Sequence, residues 1–190
     1  RQMCIRDSIK TVLEKNKLDG IDLDFEWAEN EKEYKDYSLA ILKMREVLGD
    51  KYLFSVSLHP VCYKISKEAI EAVDFISLQC YGPSPVRFPI EKYCSDIQMV
   101  LEYGIPREKL VAGVPFYGVT KDNSKKTEAY FNFVQNGLVT SPAQNEVIYQ
   151  GDTYVFDGQD NIRIKTRYAK EQKLNCLLYT SPSPRDGLLS

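Results

Sequence analysis

Apolar and polar positions recur with two different periods along the chain. Ile9, Val12 and Leu13 share one face at helical spacing over residues 9–18, whereas residues 20–27 alternate apolar and acidic side chains with period two, the pattern of a strand. Asn30 suits the N-cap of a helix with Tyr34, Tyr37, Ile41, Met44 and Leu48 on its apolar face, and Gly49 ends it. Residues 52–58 (YLFSVSL) read as a second strand, and Ser66 opens a short helix through Ala72. Residues 74–80 (DFISLQC) read as a third strand, and Pro89 fits the first turn of a helix that runs through Val100 to Gly104. Residues 110–116 (LVAGVPF) read as a fourth strand.

After Tyr117 the pattern changes. Residues 127–135 are expected to be helical, closed by Gly137. Residues 146–150 and 153–156 flank Gly151-Asp152, a hairpin signal. Residues 157–161 read as a turn, residues 162–164 as a short strand, and Thr166 as the cap of a last helix leading to Asn175. Strands alternating with helices imply βαβ units and a parallel sheet, leaving a barrel and a doubly wound sheet both open. No G-x-G-x-x-G follows a strand, so nothing points to a dinucleotide. The segment after the fourth strand reads as a small α+β insertion.

Composition adds limits. The 190 residues are 43% hydrophobic and 27% charged with a net charge of −2, the profile of a soluble globular domain. No apolar run is long enough to span a bilayer, and the mildly acidic balance suggests neither nucleic acid nor an anionic membrane as partner. Both ends look foreign. Residues 1–8 (RQMCIRDS) and 176–186 (CLLYTSPSPRD) back-translate into the two adapters that a transposase attaches to DNA-sequencing libraries, each in the correct orientation. The expected biological part is therefore residues 9–175, with its natural ends and any leader cut away. Cys62, Cys80 and Cys94 then remain, too few and too irregularly spaced for a disulfide framework or a zinc site.

Asp22, Asp24 and Glu26 fall on one face of the first strand, opposite Ile21, Leu23, Phe25 and Trp27. Clustered acids on a covered face repel and desolvate one another, which a shared proton or one neutral acid relieves; that is the condition of a general acid. The same spacing also fits the solvated face of an edge strand, ordinary surface charge, or a cation site. The last is the poorest match, because calcium loops place Gly and polar residues between ligands, not Leu and Phe. In a parallel sheet both faces are usually covered, which favours a barrel mouth as the setting for such a face.

Residues 19–26 (DGIDLDFE) match the D-x-x-D-x-D-x-E signature of family 18 glycoside hydrolases, the chitinase family, where it forms the fourth strand of a (β/α)₈ barrel. Residues 75–81 (FISLQCY) resemble that family's sixth strand, residues 110–118 (LVAGVPFYG) its seventh, and residues 153–174 the end of its insertion and the helix before strand eight. The resemblance implies an α/β fold, a partial TIM barrel of about strands four to seven with an α+β insertion after strand seven. It divides the chain into adapter (1–8), partial barrel (9–119), insertion (120–165), a helix leading to strand eight (166–175) and adapter (176–190).

The resemblance further implies retaining hydrolysis of β-1,4 bonds in N-acetylglucosamine polymers, assisted by the substrate's own acetamido group. In that scheme Glu26 is the acid and then the base, Asp24 orients the acetamido group, and Asp22 shares a proton with Asp24. Tyr81 hydrogen-bonds the acetamido carbonyl and Gln79 lines the pocket. Trp27 and Tyr117 are candidate sugar contacts, each with a packing role as the alternative, and His59 is a structural residue or minor contact. No metal or organic cofactor is implied, and the partner is an oligo- or polysaccharide. A secreted or cell-envelope setting follows from the resemblance alone. Peptidoglycan or N-glycan core hydrolysis and a non-catalytic, lectin-like member are the alternatives. Gly82 and Val119 stand where relatives often carry Asp or Asn and Arg, respectively, so the sugar contacts differ there. A complete barrel takes about 250 residues, so a chain of this length is expected to show little activity by itself.

Overall fold

The computed structural model describes residues 2–25, 28–81, 88–122 and 126–180. Helix α1 (Gln2–Asn16) leads into strand β1 (Gly20–Asp24), followed by α2 (Glu31–Leu48), β2 (Leu53–Leu58), α3 (Lys67–Ala72), β3 (Phe75–Leu78), α4 (Ile90–Tyr103) and β4 (Leu110–Pro115). Local chemistry sets the helix ends. Asn30 accepts from Glu33 N–H at 3.0 Å and Ser66 from Ala69 N–H at 3.2 Å, each satisfying a backbone donor that the first turn leaves open.

The main sheet is five-stranded and parallel, in the order β1-β2-β3-β4-β9, where β9 is Cys176–Thr180. Strand order follows chain order without the reversal that defines a doubly wound sheet, which decides between the two architectures in favour of part of a barrel. Residues 176–180, set apart in the sequence as adapter-derived, thus lie beside β4, with Gly113 opposite Leu178. One face of the sheet carries Ile21, Leu23, Phe54, Val56, Leu58, Ile76, Leu78, Ala112 and Val114, which pack with Tyr37, Ile41, Ile70 and Ile97 of the helices into a single core. A side chain of this size contributes about 1.5–3 kcal/mol on full burial. The alternate positions of the strands form the other face.

A second, antiparallel sheet holds β5 (Tyr117–Thr120), β6 (Thr127–Ala129), β7 (Glu146–Tyr149) and β8 (Asp152–Val155) in the order β6-β5-β8-β7. Helix α5 (Tyr130–Gln135) packs Phe133 against it, beside Val147, Tyr154 and Phe156. The expected helix over residues 127–135 is therefore shorter. Its first three residues pair with β5, and the backbone partner offered by that strand overrides their local preference. The hairpin turn centres on Gln150 and Gly151, both at positive φ, one residue earlier than the sequence suggested.

Residues 162–164, expected as a short strand, belong to helix α6 (Gln159–Glu171), which starts at Gln159 and not at Thr166. The inward positions of α6 are Ile162, Lys165 and Ala169, at helical spacing. A lysine in the middle of that stripe hides the period. Lys165 is buried against Asp157 at 2.5 Å, with its ammonium 5.4 Å from the centre of the Tyr93 ring. Burial pushes the Asp157 carboxyl above its usual range, against the pull of Lys165 and the hydrogen bond from Asn161. The pair ties α6 to the end of the antiparallel sheet.

Candidate active site

The site grows from the start of β1. Leu53 N–H donates to the Asp19 carbonyl at 2.9 Å, and a Cβ on Gly20 would fall 2.2 Å from the Leu53 carbonyl oxygen. Only glycine lets β1 and β2 approach this closely, and the approach sets their register: Asp22 lies opposite Ser55 and Asp24 opposite Ser57. Parallel partners share a face, so both serines lie alongside the acids. Ser55 Oγ donates to Asp22 Oδ1 at 2.5 Å and Ser57 Oγ to Asp22 Oδ2 at 2.7 Å, so both carboxylate oxygens of Asp22 are gripped.

Asp24 accepts from Gln79 Nε2 at 3.3 Å, a reach across the sheet from the loop after β3. Gln79 is placed by its own N–H, which donates to the Leu58 carbonyl at 2.8 Å. Gly113 faces the same side of β4, and a Cβ there would meet Tyr81 Cε1 at 2.7 Å, so the Tyr81 ring lies across the bare backbone. The Tyr117 ring stands edge-on to it, 6.2 Å between centres. The structure thus brings Asp22, Asp24 and Gln79 onto one face, with Asp22 held by Ser55 and Ser57 and Asp24 by Gln79, and Tyr81 and Tyr117 as an aromatic pair further round the same face. Glu26 and Trp27, with Gly82, lie outside the described residues.

Behind the strand, Tyr37 of α2 donates to the Leu23 carbonyl at 3.1 Å and its ring packs on Phe25 at 5.0 Å. Burial pushes the Tyr37 phenol well above its ordinary range, and the negative charges of Asp22 and Asp24 push it further. Tyr37 therefore remains a donor and braces the acid strand. His59 is buried after β2 and exchanges backbone bonds with Cys62. Val119 is buried in the middle of the antiparallel sheet, paired on both sides, and is closed to a sugar. Among the described residues there is no cluster of His, Cys, Asp or Glu that could hold a metal ion. None of their helices is long and apolar enough to cross a membrane.

Ser55, Ser57, Gly113 and Tyr37 escaped the sequence reading. The alternation Phe54-Ser55-Val56-Ser57 shows that the two hydroxyls share a face, but only the register assigns them to Asp22.

The sequence profile of the Glycosyl hydrolases family 18 matches residues 2–179. The chain belongs to that family. A relative, the Probable chitinase 2 of Drosophila melanogaster, is 26% identical over 136 residues, covering 59% of this chain and 28% of that protein. Among solved structures, the family 18 chitinase ChiB from the chitin utilization locus of Flavobacterium johnsoniae superposes with a TM-score of 0.76 at 23% identity, covering 94% of this chain and 59% of that one. A chitinase-like agglutinin from Robinia pseudoacacia gives 0.75 at 18% identity, covering 95% of this chain and 69% of that one. The chain thus spans 28% and 59% of the first two relatives, less than two thirds of each, and what it shares with the two structures is the fold of family 18.

Proposed function

We propose that the protein carrying this sequence is a retaining glycoside hydrolase that cuts β-1,4 bonds in N-acetylglucosamine polymers, chitin-like chains first among them. The observation that carries the reading is the placing of Asp22, Asp24 and Gln79 on one face, built on the family's signature strand. In the first step Glu26 gives its proton to the glycosidic oxygen. The bond from that oxygen to the anomeric carbon breaks as the acetamido carbonyl oxygen of the same sugar bonds to that carbon. Asp24 orients the acetamido nitrogen and offsets the positive charge of the resulting oxazolinium ring, while Asp22, which shares a proton with Asp24, is held by Ser55 and Ser57. Tyr81 donates to the acetamido group, and Gln79 lines the pocket and steadies Asp24. In the second step water attacks the anomeric carbon from the face the leaving group left, and the bond from the acetamido oxygen to that carbon breaks, which restores the acetamido group. Glu26 takes the proton of the water, and the β configuration is kept. Trp27 and Tyr117 are the proposed sugar contacts at the margins.

The Robinia relative, a chitinase-like agglutinin, supports one other reading, a sugar-binding protein that does not cut. The two separate in one experiment on the full-length protein with a complete barrel. Wild type and Glu26→Gln are assayed on chitooligosaccharides, N-glycans and peptidoglycan. Cleavage of chitooligosaccharides by wild type and its loss in Glu26→Gln is expected. Equal activity in the two proteins removes Glu26 as the acid; tight binding without cleavage by wild type favours the agglutinin-like reading. Cleavage confined to N-glycans or peptidoglycan would move the substrate within the same chemistry.

A further inference from the structure

Cys62 lies just past β2, at the end of the sheet where the strands run out into their C-terminal loops, and is 3% exposed. Its backbone is tied to His59: Cys62 N–H donates to the His59 carbonyl at 2.8 Å, and His59 N–H donates back to the Cys62 carbonyl at 3.4 Å. Residues 59–62 therefore form a tight turn that fixes where the thiol stands. From there Sγ accepts from Ala28 N–H at 3.0 Å and donates to the Ala28 carbonyl at 3.4 Å. One side chain thus engages both polar backbone groups of a residue from a different βα loop. Ala28 is 4% exposed, so these backbone groups are cut off from solvent and depend on the thiol.

The surroundings are fixed as well. Burial and then a hydrogen bond with Cys62 push the phenol of Tyr34 on helix α2 up to about 12. Glu29 N–H donates to Glu33 Oε2 at 2.7 Å, and Asn30 caps α2. On the other side, Asp24 closes β1 opposite Ser57, and Leu23 is held by Tyr37. Ala28 follows Glu26 by two residues in the chain.

We propose that Cys62 is a positioning residue for the reaction: its thiol seats Ala28 and thereby aligns Glu26 with the glycosidic oxygen. The proposal rests on the reading of Glu26 as the acid. A group displaced by about 1 Å from its working position loses on the order of a hundredfold in rate, so the effect falls on kcat more than on substrate binding.

The test uses the full-length protein with Cys62→Ala, Cys62→Ser and Glu26→Gln, measuring kcat and KM on a chitooligosaccharide, the pH profile of kcat, and the thermal midpoint. The serine hydroxyl, like the thiol, both donates and accepts, whereas alanine does neither. Cys62→Ala is expected to lower kcat roughly tenfold to a hundredfold with KM within about twofold, and to shift the limb of the profile that reports the acid. Cys62→Ser is expected to recover most of the rate at an equal thermal midpoint. Wild-type kcat in Cys62→Ala, or an equal loss in Cys62→Ser at an unchanged midpoint, overturns the proposal. If Cys62→Ala does not fold, Cys62→Val fills the site without a hydrogen bond and is read in the same way. Glu26→Gln separates the two failures. An inactive Glu26→Gln beside a fully active Cys62→Ala removes only the clamp, whereas an active Glu26→Gln removes the reading beneath it.

Discussion

Gly113→Ala tests the seat of Tyr81. The added Cβ would stand 2.7 Å from Tyr81 Cε1 and 2.9 Å from the Leu78 carbonyl oxygen. Carbon atoms pack best at about 3.5–4.0 Å, so the methyl group intrudes on the ring by roughly 1 Å. The Leu78 oxygen belongs to the paired edge of β3, where Leu78 lies opposite Ala112, and retreats only by disturbing the strand pairing. The ring of Tyr81 is half-buried and edge-on to Tyr117, and a side chain yields before a paired strand backbone does, so most of the movement falls on it. Overpacking of this kind costs about 1–3 kcal/mol. A phenol moved by about 1 Å from the acetamido group lowers kcat roughly tenfold to a hundredfold. The assay is steady-state hydrolysis of a fluorogenic chitooligosaccharide by the full-length protein, with the thermal midpoint read in parallel and Tyr81→Phe as the reference for losing the hydroxyl alone. Both variants are expected to be slow, and Gly113→Ala also less stable. A Gly113→Ala protein with wild-type kcat and midpoint would refute the placement of Tyr81 over β4.

Three further outcomes follow from other contacts. Ser55→Ala with Ser57→Ala strips both hydroxyl donors from Asp22; at about 1.5–3 kcal/mol for a hydrogen bond to a charged group, kcat is expected to fall at least tenfold, while Ser→Thr at either position retains most of it. Lys165→Ala leaves Asp157 buried without its cation and is expected to cost about 3–5 kcal/mol in urea unfolding; Lys165→Met with Asp157→Leu is expected to recover much of that. Partial burial works against the Asp74 charge, but Phe54 N–H and Arg45 outweigh it and hold that carboxyl below its usual range. A folded-state value below the unfolded one gives stability that is present above the unfolded pKa, about 3.9, and lost as pH falls through the folded value. Asp74→Asn is therefore expected to cost about 1 kcal/mol near neutrality, reduced by the exposure of the side chain, and the gap to wild type is expected to close on acidification. A gap that stays constant down to pH 3 contradicts this.

The strand positions of the barrel were legible because each strand is marked by its own period and bounded by a cap or turn residue, as with Asn30, Ser66 and Pro89. The choice between barrel and doubly wound sheet was not, since strand order is a property of pairing and not of any one segment. The helix at Gln159–Glu171 was misread because its inward stripe includes Lys165, which is apolar in effect only once Asp157 meets it. The β-branched Ile162 and Ile164 around Arg163 then imitate a strand. Residues 127–129 gave the opposite error, a helical pattern captured by the edge of β5. At the site, the acids announced themselves by spacing, whereas their supports did not. Ser55 and Ser57 become partners of Asp22 only through the register, and Gly113 and Cys62 act through contacts across the sheet or between loops that no local pattern encodes.

The most direct test of the proposed chemistry is the configuration of the product at birth. Full-length protein is mixed with a chitooligosaccharide and the anomeric protons of the new reducing end are followed by time-resolved NMR, faster than mutarotation. Substrate-assisted attack through Asp24 and Glu26 yields the β anomer first, with α appearing only as the product equilibrates. An α anomer formed first would mean direct displacement by water, and would remove the acetamido-assisted route built on Asp22, Asp24 and Glu26.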